Sequence, residues 1–412
     1  MPMFSIPLSG LDAASAALSV IANNLANLNT TGYKDQQTSF QDLFYQTIGN
    51  NGAGPIQVGA GAGVSSTSSL FTNGALSQTG AGTDVAIAGN GFFAIQSKDG
   101  NLTFTRDGHF GIDSKGQLIT ADGDYVMGYP AVNGVIPTGQ TLSPIVIGQS
   151  QVSPPNATAT MQMSSNLDAS AATGATFSTP MTVYDSLGVS HVLTINFTKA
   201  SPNNWSYDIT IPATDVGQTG NPVSVATGTL TFDNNGVLTS PAGNVGGVTV
   251  NNLASGAAPL NVTWNLYDAQ NAPMVTQFAN PSATSSTFQD GYGAGSLLGF
   301  SIDSDGTIEG TFSNGKTAAL AQIALASFAN VQGLERQGGN RFTSTLISGS
   351  PTIGAPGSGG RGTVTGGALE QSNVDIAKEF SKLITTQRGF QASARVVTAF
   401  DEITQDTINL KR

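Results

Sequence analysis

The sequence predicts a mainly β protein with α-helical termini, and three observations predict it. A long, charge-poor middle is cut into short β-branched and aromatic runs by Gly, Asn and Asp. Both ends instead space apolar residues at alternating three- and four-residue steps, the period of a helical seam. A central block, 151–285, is entered at Pro154-Pro155 and left at Asn280-Pro281, and its alternating runs differ from those on either side. The block reads as an independent β-sandwich or barrel inserted into another β domain. The expected fold is two or more such domains, the outer inserted in the inner, plus a coiled-coil domain built from the two termini.

The N-terminal seam runs from Ser9 to Leu28, with Leu11, Ala14, Leu18, Ile21, Leu25 and Leu28 on one ladder. Ser9 and Asp12 form an S-x-x-D start, and Gly32 is the natural stop. Asp12 is the sole charge in 1–33, as expected of a helix enclosed where a charge is costly to desolvate. Residues 34–70 open with an apolar cluster at Phe40, Leu43, Phe44 and Tyr45 and then turn Gly/Ser/Ala-rich, which reads as a linker-like boundary.

Within 71–150, strands are expected at Val85–Ala88, Phe92–Gln96, Leu102–Arg106, Gln117–Thr120 and Tyr125–Tyr129. Asp113-Ser-Lys-Gly116 is a four-residue turn, repeated at Asp233–Gly236 and Asp303–Gly306. In the inserted block, runs at 181–184, 191–197, 205–211, 228–232, 248–250 and 262–267 read as strands. The apolar run 320–328 reads as strand, and 349–368 as a flexible connector. The last seam, Ser372 to Arg412, carries Ile376, Phe380, Leu383, Gln387, Phe390, Ala394 and Val397 before its register slips by one. Ser372 with Asp375 starts it, and Lys411 and Arg412 complement its negative end. The domains are then 1–33 with 370–412, a connector of 34–70 with 345–369, a middle β domain of 71–150 with 286–344, and the inserted 151–285.

Composition narrows the function. The 412 residues suffice for two to four domains. Charged residues are 10% of the chain, the net charge is −11 and the pI about 4.4. That balance argues against nucleic acid and anionic membranes as partners. Cysteine is absent, so no disulfide or thiolate site is possible. The N-terminus lacks a basic n-region, and no unbroken apolar run of about 18 residues is present. The expectation is no membrane partner, and either cytosolic residence or export without a cleaved signal.

Chemistry is sparse. Asp303, Asp305 and Glu309 lack an acid and the flanking helices of a calcium loop. His109 and His191 share no motif and read as surface or strand-face residues. Asp107, Asp113, Asp122 and Asp124 are accounted for by turns rather than by a glycosidase-type pair. No catalytic residue, metal or cofactor is expected, and no enzyme.

Three stretches carry a resemblance. SGLDAASAALSVIANNLANLNTTGYK (Ser9–Lys34), SNVDIAKEFSKLITTQRGFQASARVVTAFDE (Ser372–Glu402) and DVAIAGNGFFAI with FTRDGHFGIDSKGQLITADGDYVMGYP (Asp84–Ile95 and Phe104–Pro130) resemble signatures of the flagellar rod and hook axial proteins. Length and the inserted block make the chain most similar to the hook-type members. A distal rod component and a secreted β-rich adhesin are the alternatives. The resemblance implies a self-assembling helical homopolymer, a torque-bearing flexible joint, uncleaved type III export, and contacts with cap, distal rod and hook–filament junction proteins. It places the assembly interface on Leu11, Leu18, Ile21, Asn24, Leu25, Asn27, Leu28, Gly32, Tyr33, Ile376, Phe380, Leu383, Gln387, Arg388, Phe390 and Val397.

Overall fold

A computed structural model describes residues 5–44, 46–51, 54–148 and 151–409. Lys411 and Arg412, read above as complementing the helix end, and Tyr45 of the apolar cluster lie outside them. The chain divides into two compact units. One comprises Met1–Gly148, Phe300–Gly310 and Ala318–Arg412, and the other Gln149–Gly299 with Thr311–Thr317.

The inserted unit is built from one antiparallel and one mixed sheet. One orders Thr176–Tyr184, Ser190–Ser201, Asn204–Ile211, Val223–Phe232 and Leu238–Ser240 as a meander. The other places Thr160–Asn166 between Leu260–Asn265 and Ala283–Gln289. Strict alternation along Asn204–Ile211 sends Trp205, Tyr207, Ile209 and Ile211 inward. Trp264 from the facing sheet meets Tyr207 edge-on at 5.3 Å, and Phe197 lies 6.1 Å away. The expected exit at Asn280-Pro281 is a turn instead, with Asn280 N–H bonded to the Phe278 carbonyl at 2.8 Å. The chain then re-enters the sheet as Ala283–Gln289, because proline breaks a strand without ending a domain.

In the other unit, Phe92–Gln96 pairs with Leu102–Thr105, Tyr125–Pro130 and Leu325–Ser327. Its core stacks Phe92, Phe104 and Phe342 with Phe71 and Phe328, rings meeting edge-on at 4.8–5.8 Å. The run at 320–328 is strand, as Thr317–Ile323 and Leu325–Ser327.

Two segments expected to be connectors are sheet. Gln36–Asp42 pairs antiparallel with Ala62–Ser69. Thr363–Gly366 pairs with Val85–Ala88, and Ala368–Glu370 with Leu76–Gln78. Their Gly, Ser and Thr content suggested flexible chain, but backbone hydrogen bonding across a ladder does not depend on side-chain size.

Helix α1 (Ser5–Ala26) begins before Ser9, so Ser9 is no cap. Its hydroxyl donates to the Ile6 carbonyl at 2.7 Å and accepts from the Ala62 amide at 3.2 Å. Helix α2 (Ile376–Asn409) is capped by Asp375 rather than Ser372. The Asp375 carboxylate accepts from the amides of Ala377 (2.9 Å) and Lys378 (3.2 Å). The helices pack along one another. The seam is offset from the leucine ladder: α1 buries Pro7, Ala13, Ala17, Ile21 and Asn24. Leu11, Leu18 and Leu25 are only half-buried. By length and composition α1 is apolar enough to cross a membrane, contrary to the expectation. Ser and Asn interrupt any unbroken apolar run, while Ala, Leu, Ile and Val carry the average.

Candidate assembly interface

Where the two helices leave the β unit, a set of polar side chains is buried within the chain. Asn24, fully buried, reaches the Asp35 carboxylate at 2.5 Å, the Gln36 carbonyl at 2.8 Å and Glu379 of α2 at 3.1 Å. Its side-chain oxygen accepts from Gln36 N–H (3.0 Å) and the Tyr33 hydroxyl (3.1 Å). Lys382 closes on Glu379 at 2.6 Å. One amide thus ties α1, α2 and the strand Gln36–Asp42 together, using both donor and acceptor ends.

Beside it lies a buried ion triad. Glu370 takes Lys34 at 2.7 Å on one oxygen and Arg106 at 3.2 Å on the other. The Gly74 amide adds a third donor at 2.8 Å. Lys34 also donates to the Thr72 carbonyl, and Arg106 to that of Gly89, each at 2.8 Å. Burial lowers Lys34 and Arg106 from their ordinary pKa values, and Glu370 opposes both shifts. Burial raises Asp35, with Lys382 pulling it down and Glu379 pushing it up. Burial likewise raises Tyr33, against the nearby Arg336 guanidinium, which stacks 5.1 Å over its ring. Gly32 (φ +66°) sits against the Arg106 carbonyl, where an added Cβ would approach to 2.6 Å. It seats the turn rather than ending α1, which stops at Ala26.

The residues assigned to assembly therefore separate. Ile21, Asn24, Gly32 and Tyr33 are buried within the chain. Leu11, Leu18, Leu25, Asn27, Leu28, Leu383 and Val397 are half-buried. Ile376, Phe380, Gln387, Arg388 and Phe390 are exposed. Along the 34 residues of α2 only Glu379 is buried. Phe380, Ile384, Val396, Ile403 and Ile408 stand at 44–63% exposure. Sequence reasoning missed Lys34, Asp35, Arg106, Glu370 and Glu379. The signal for Lys34, Asp35 and Glu370 was position, scarce charges close to the two helices, whereas Arg106 carried none.

The remaining polar candidates have local roles. Asp113 accepts from the amides of Lys115 and Gln117, both at 2.8 Å, in its own turn. Asp124 pairs with Arg341 at 2.8 Å. His191 is on the inward face of its strand, buried between Asp215 (3.0 Å) and Asp185 (3.3 Å).

Four family models match the chain. They are "Flagella basal body rod protein" over 6–34, "Flagellar hook protein FlgE/F/G D1 domain" over 86–166, "Flagellar basal body protein FlaE D2 domain" over 154–292, and "Flagellar basal body rod FlgEFG protein C-terminal" over 365–410. The flagellar hook protein FlgE of Escherichia coli (strain K12) is 36% identical, covering 99% of this chain and 100% of that protein. That of Treponema pallidum (strain Nichols) is 37% identical over 98% of each. The solved Helicobacter pylori flagellar hook protein FlgE2 covers 72% of this chain at 16% identity and a TM-score of 0.47. Hook proteins matching end to end do not favour the distal rod and adhesin alternatives. The chain belongs to the flagellar hook protein family.

Proposed function

We propose that this structural hook subunit assembles with copies of itself chiefly through the exposed faces of α2 and α1. One observation carries the reading: a 34-residue helix buries a single side chain and leaves an apolar stripe in water. An isolated helix gains little stability of its own, so such a stripe needs partners. Contacts between unlike faces of identical chains build an open helical polymer where the rotation between copies does not close a ring. Asn24, Gly32 and Tyr33 act inside the subunit, fixing the angle at which the helices leave the β unit. The subunit carries no catalysis, takes no cofactor and leaves the cell without a cleaved signal. It then meets cap, distal rod and hook–filament junction proteins.

Phe390→Asp and Phe380→Asp test this. Each places a carboxylate on the stripe without touching the buried junction. The expected result is folded, exported monomer that forms no tubes by electron microscopy. Tubes of normal yield from the double variant would overturn the reading.

A further inference from the structure

Away from the helices, one apolar pair projects from the β unit. Leu346 is fully exposed and Ile347 is 74% exposed. They form the tip of the turn that follows Arg341–Thr343. Turns favour Gly, Asn, Asp or Ser, so a Leu-Ile tip gains nothing from local geometry.

The turn is nevertheless held firmly. The Thr345 hydroxyl donates to the Gly333 carbonyl at 2.6 Å and accepts from the Ile347 amide at 3.1 Å. Ser348, fully buried, accepts from the Thr345 amide at 2.9 Å and donates to the Thr345 carbonyl at 3.0 Å. The Asn330 amide bonds the Ser348 carbonyl at 3.3 Å. Gly333 lies beneath, where a Cβ would come within 2.4 Å of Ser348 N and 2.6 Å of the Ile347 carbonyl carbon. The glycine lets the two segments close, and the backbone that carries the pair is fixed before any contact forms.

We propose that Leu346 and Ile347 form a subunit contact, inserting into an apolar surface on a second copy of this chain. The inference rests on the polymer reading above and adds a contact outside the helices. Contacts along a helical polymer of one chain pair unlike faces of its copies, so a preorganised apolar tip that takes part in them would be received by a surface elsewhere on the same sequence. Burying one such side chain changes an association constant by roughly 10- to 100-fold.

The chain contains no cysteine, so Leu346→Cys carries a thiol-reactive photocrosslinker at a single place. Irradiated polymer is expected to yield crosslinks between copies, mapped by mass spectrometry, and dilute monomer none. Leu346→Asp is expected to match the parent in circular dichroism and melting, while raising the critical concentration for tube formation about 10- to 100-fold. An unchanged critical concentration, or crosslinks confined within single chains in the polymer, would overturn the proposal. Phe390→Asp combined with Phe380→Asp, measured in parallel, separates the two readings. Tubes of normal yield from that double variant defeat the helix reading, whereas a block there with none from Leu346→Asp defeats only the turn contact.

Discussion

At the scale of single residues, the charges that matter are the buried ones. Glu370 neutralises Lys34 and Arg106 where neither meets water. Glu370→Gln leaves two cations facing one neutral amide. The expected cost is about 3–5 kcal/mol, read as a lower urea midpoint for the helical unit. Asp185 illustrates acid sensitivity in the inserted unit. Burial opposes its charge, but the Ser255 hydroxyl, the Val189 amide, His191 and the Leu187 amide outweigh that and hold it below the ordinary carboxylate value. The folded state thus favours the ionised form. The stability this provides is complete above the ordinary Asp pKa of about 3.9 and is lost as pH falls through the lower folded value. Asp185→Asn should flatten that acid limb of the inserted unit's unfolding curve. An unchanged limb would assign the acid sensitivity elsewhere. The turn at Asp185–Gly188 has the same spacing as the three recognised in the sequence, yet it was passed over. His191 lies on a strand face, one of the two places its sequence context suggested, and register decides which face: it falls on the inward parity of Ser190–Ser201, as Leu193 and Ile195 do.

At the scale of elements, the two helices were evident from apolar spacing, whereas their ends and facing sides were not. Asp375 can cap α2 because the helix starts at Ile376, after the chain has left its pairing with Leu76–Gln78. Asp375→Ala should cost about 1 kcal/mol of helical-unit stability by chemical denaturation. Little change would mean that the Asn24–Glu379 contact alone sets the start. The leucine ladder of α1 marked an apolar side correctly. Within one chain, though, the small side chains Ala13 and Ala17 take the buried positions. The larger leucines at 11, 18 and 25 remain half-buried. A periodic pattern identifies a seam without saying whether the partner is the same chain or another.

At the scale of the whole molecule, the two units have separate cores and separate reporters. Both tryptophans of the sequence, Trp205 and Trp264, are buried in the inserted unit, while both helices belong to the other. Tryptophan fluorescence should therefore follow the inserted unit, and the helical circular dichroism band the other. Glu370→Gln should shift the circular dichroism transition and leave the fluorescence transition in place. A shift of both together would show the units to unfold as one.

The sequence by itself determined the mainly β class, the terminal helices, the strands from Val85 to Tyr129 and the flagellar kinship. These depend on local periodicity, turn chemistry and contiguous signatures, all carried by neighbours along the chain. Tertiary structure alone decided that Gln36–Asp42 and Thr363–Gly366 are sheet strands. It alone joined Asn24 to Glu379 and Lys34 to Glu370, partners more than three hundred residues apart. Ladder pairing and buried ion contacts are made between distant segments, so no window of sequence contains both halves of the interaction.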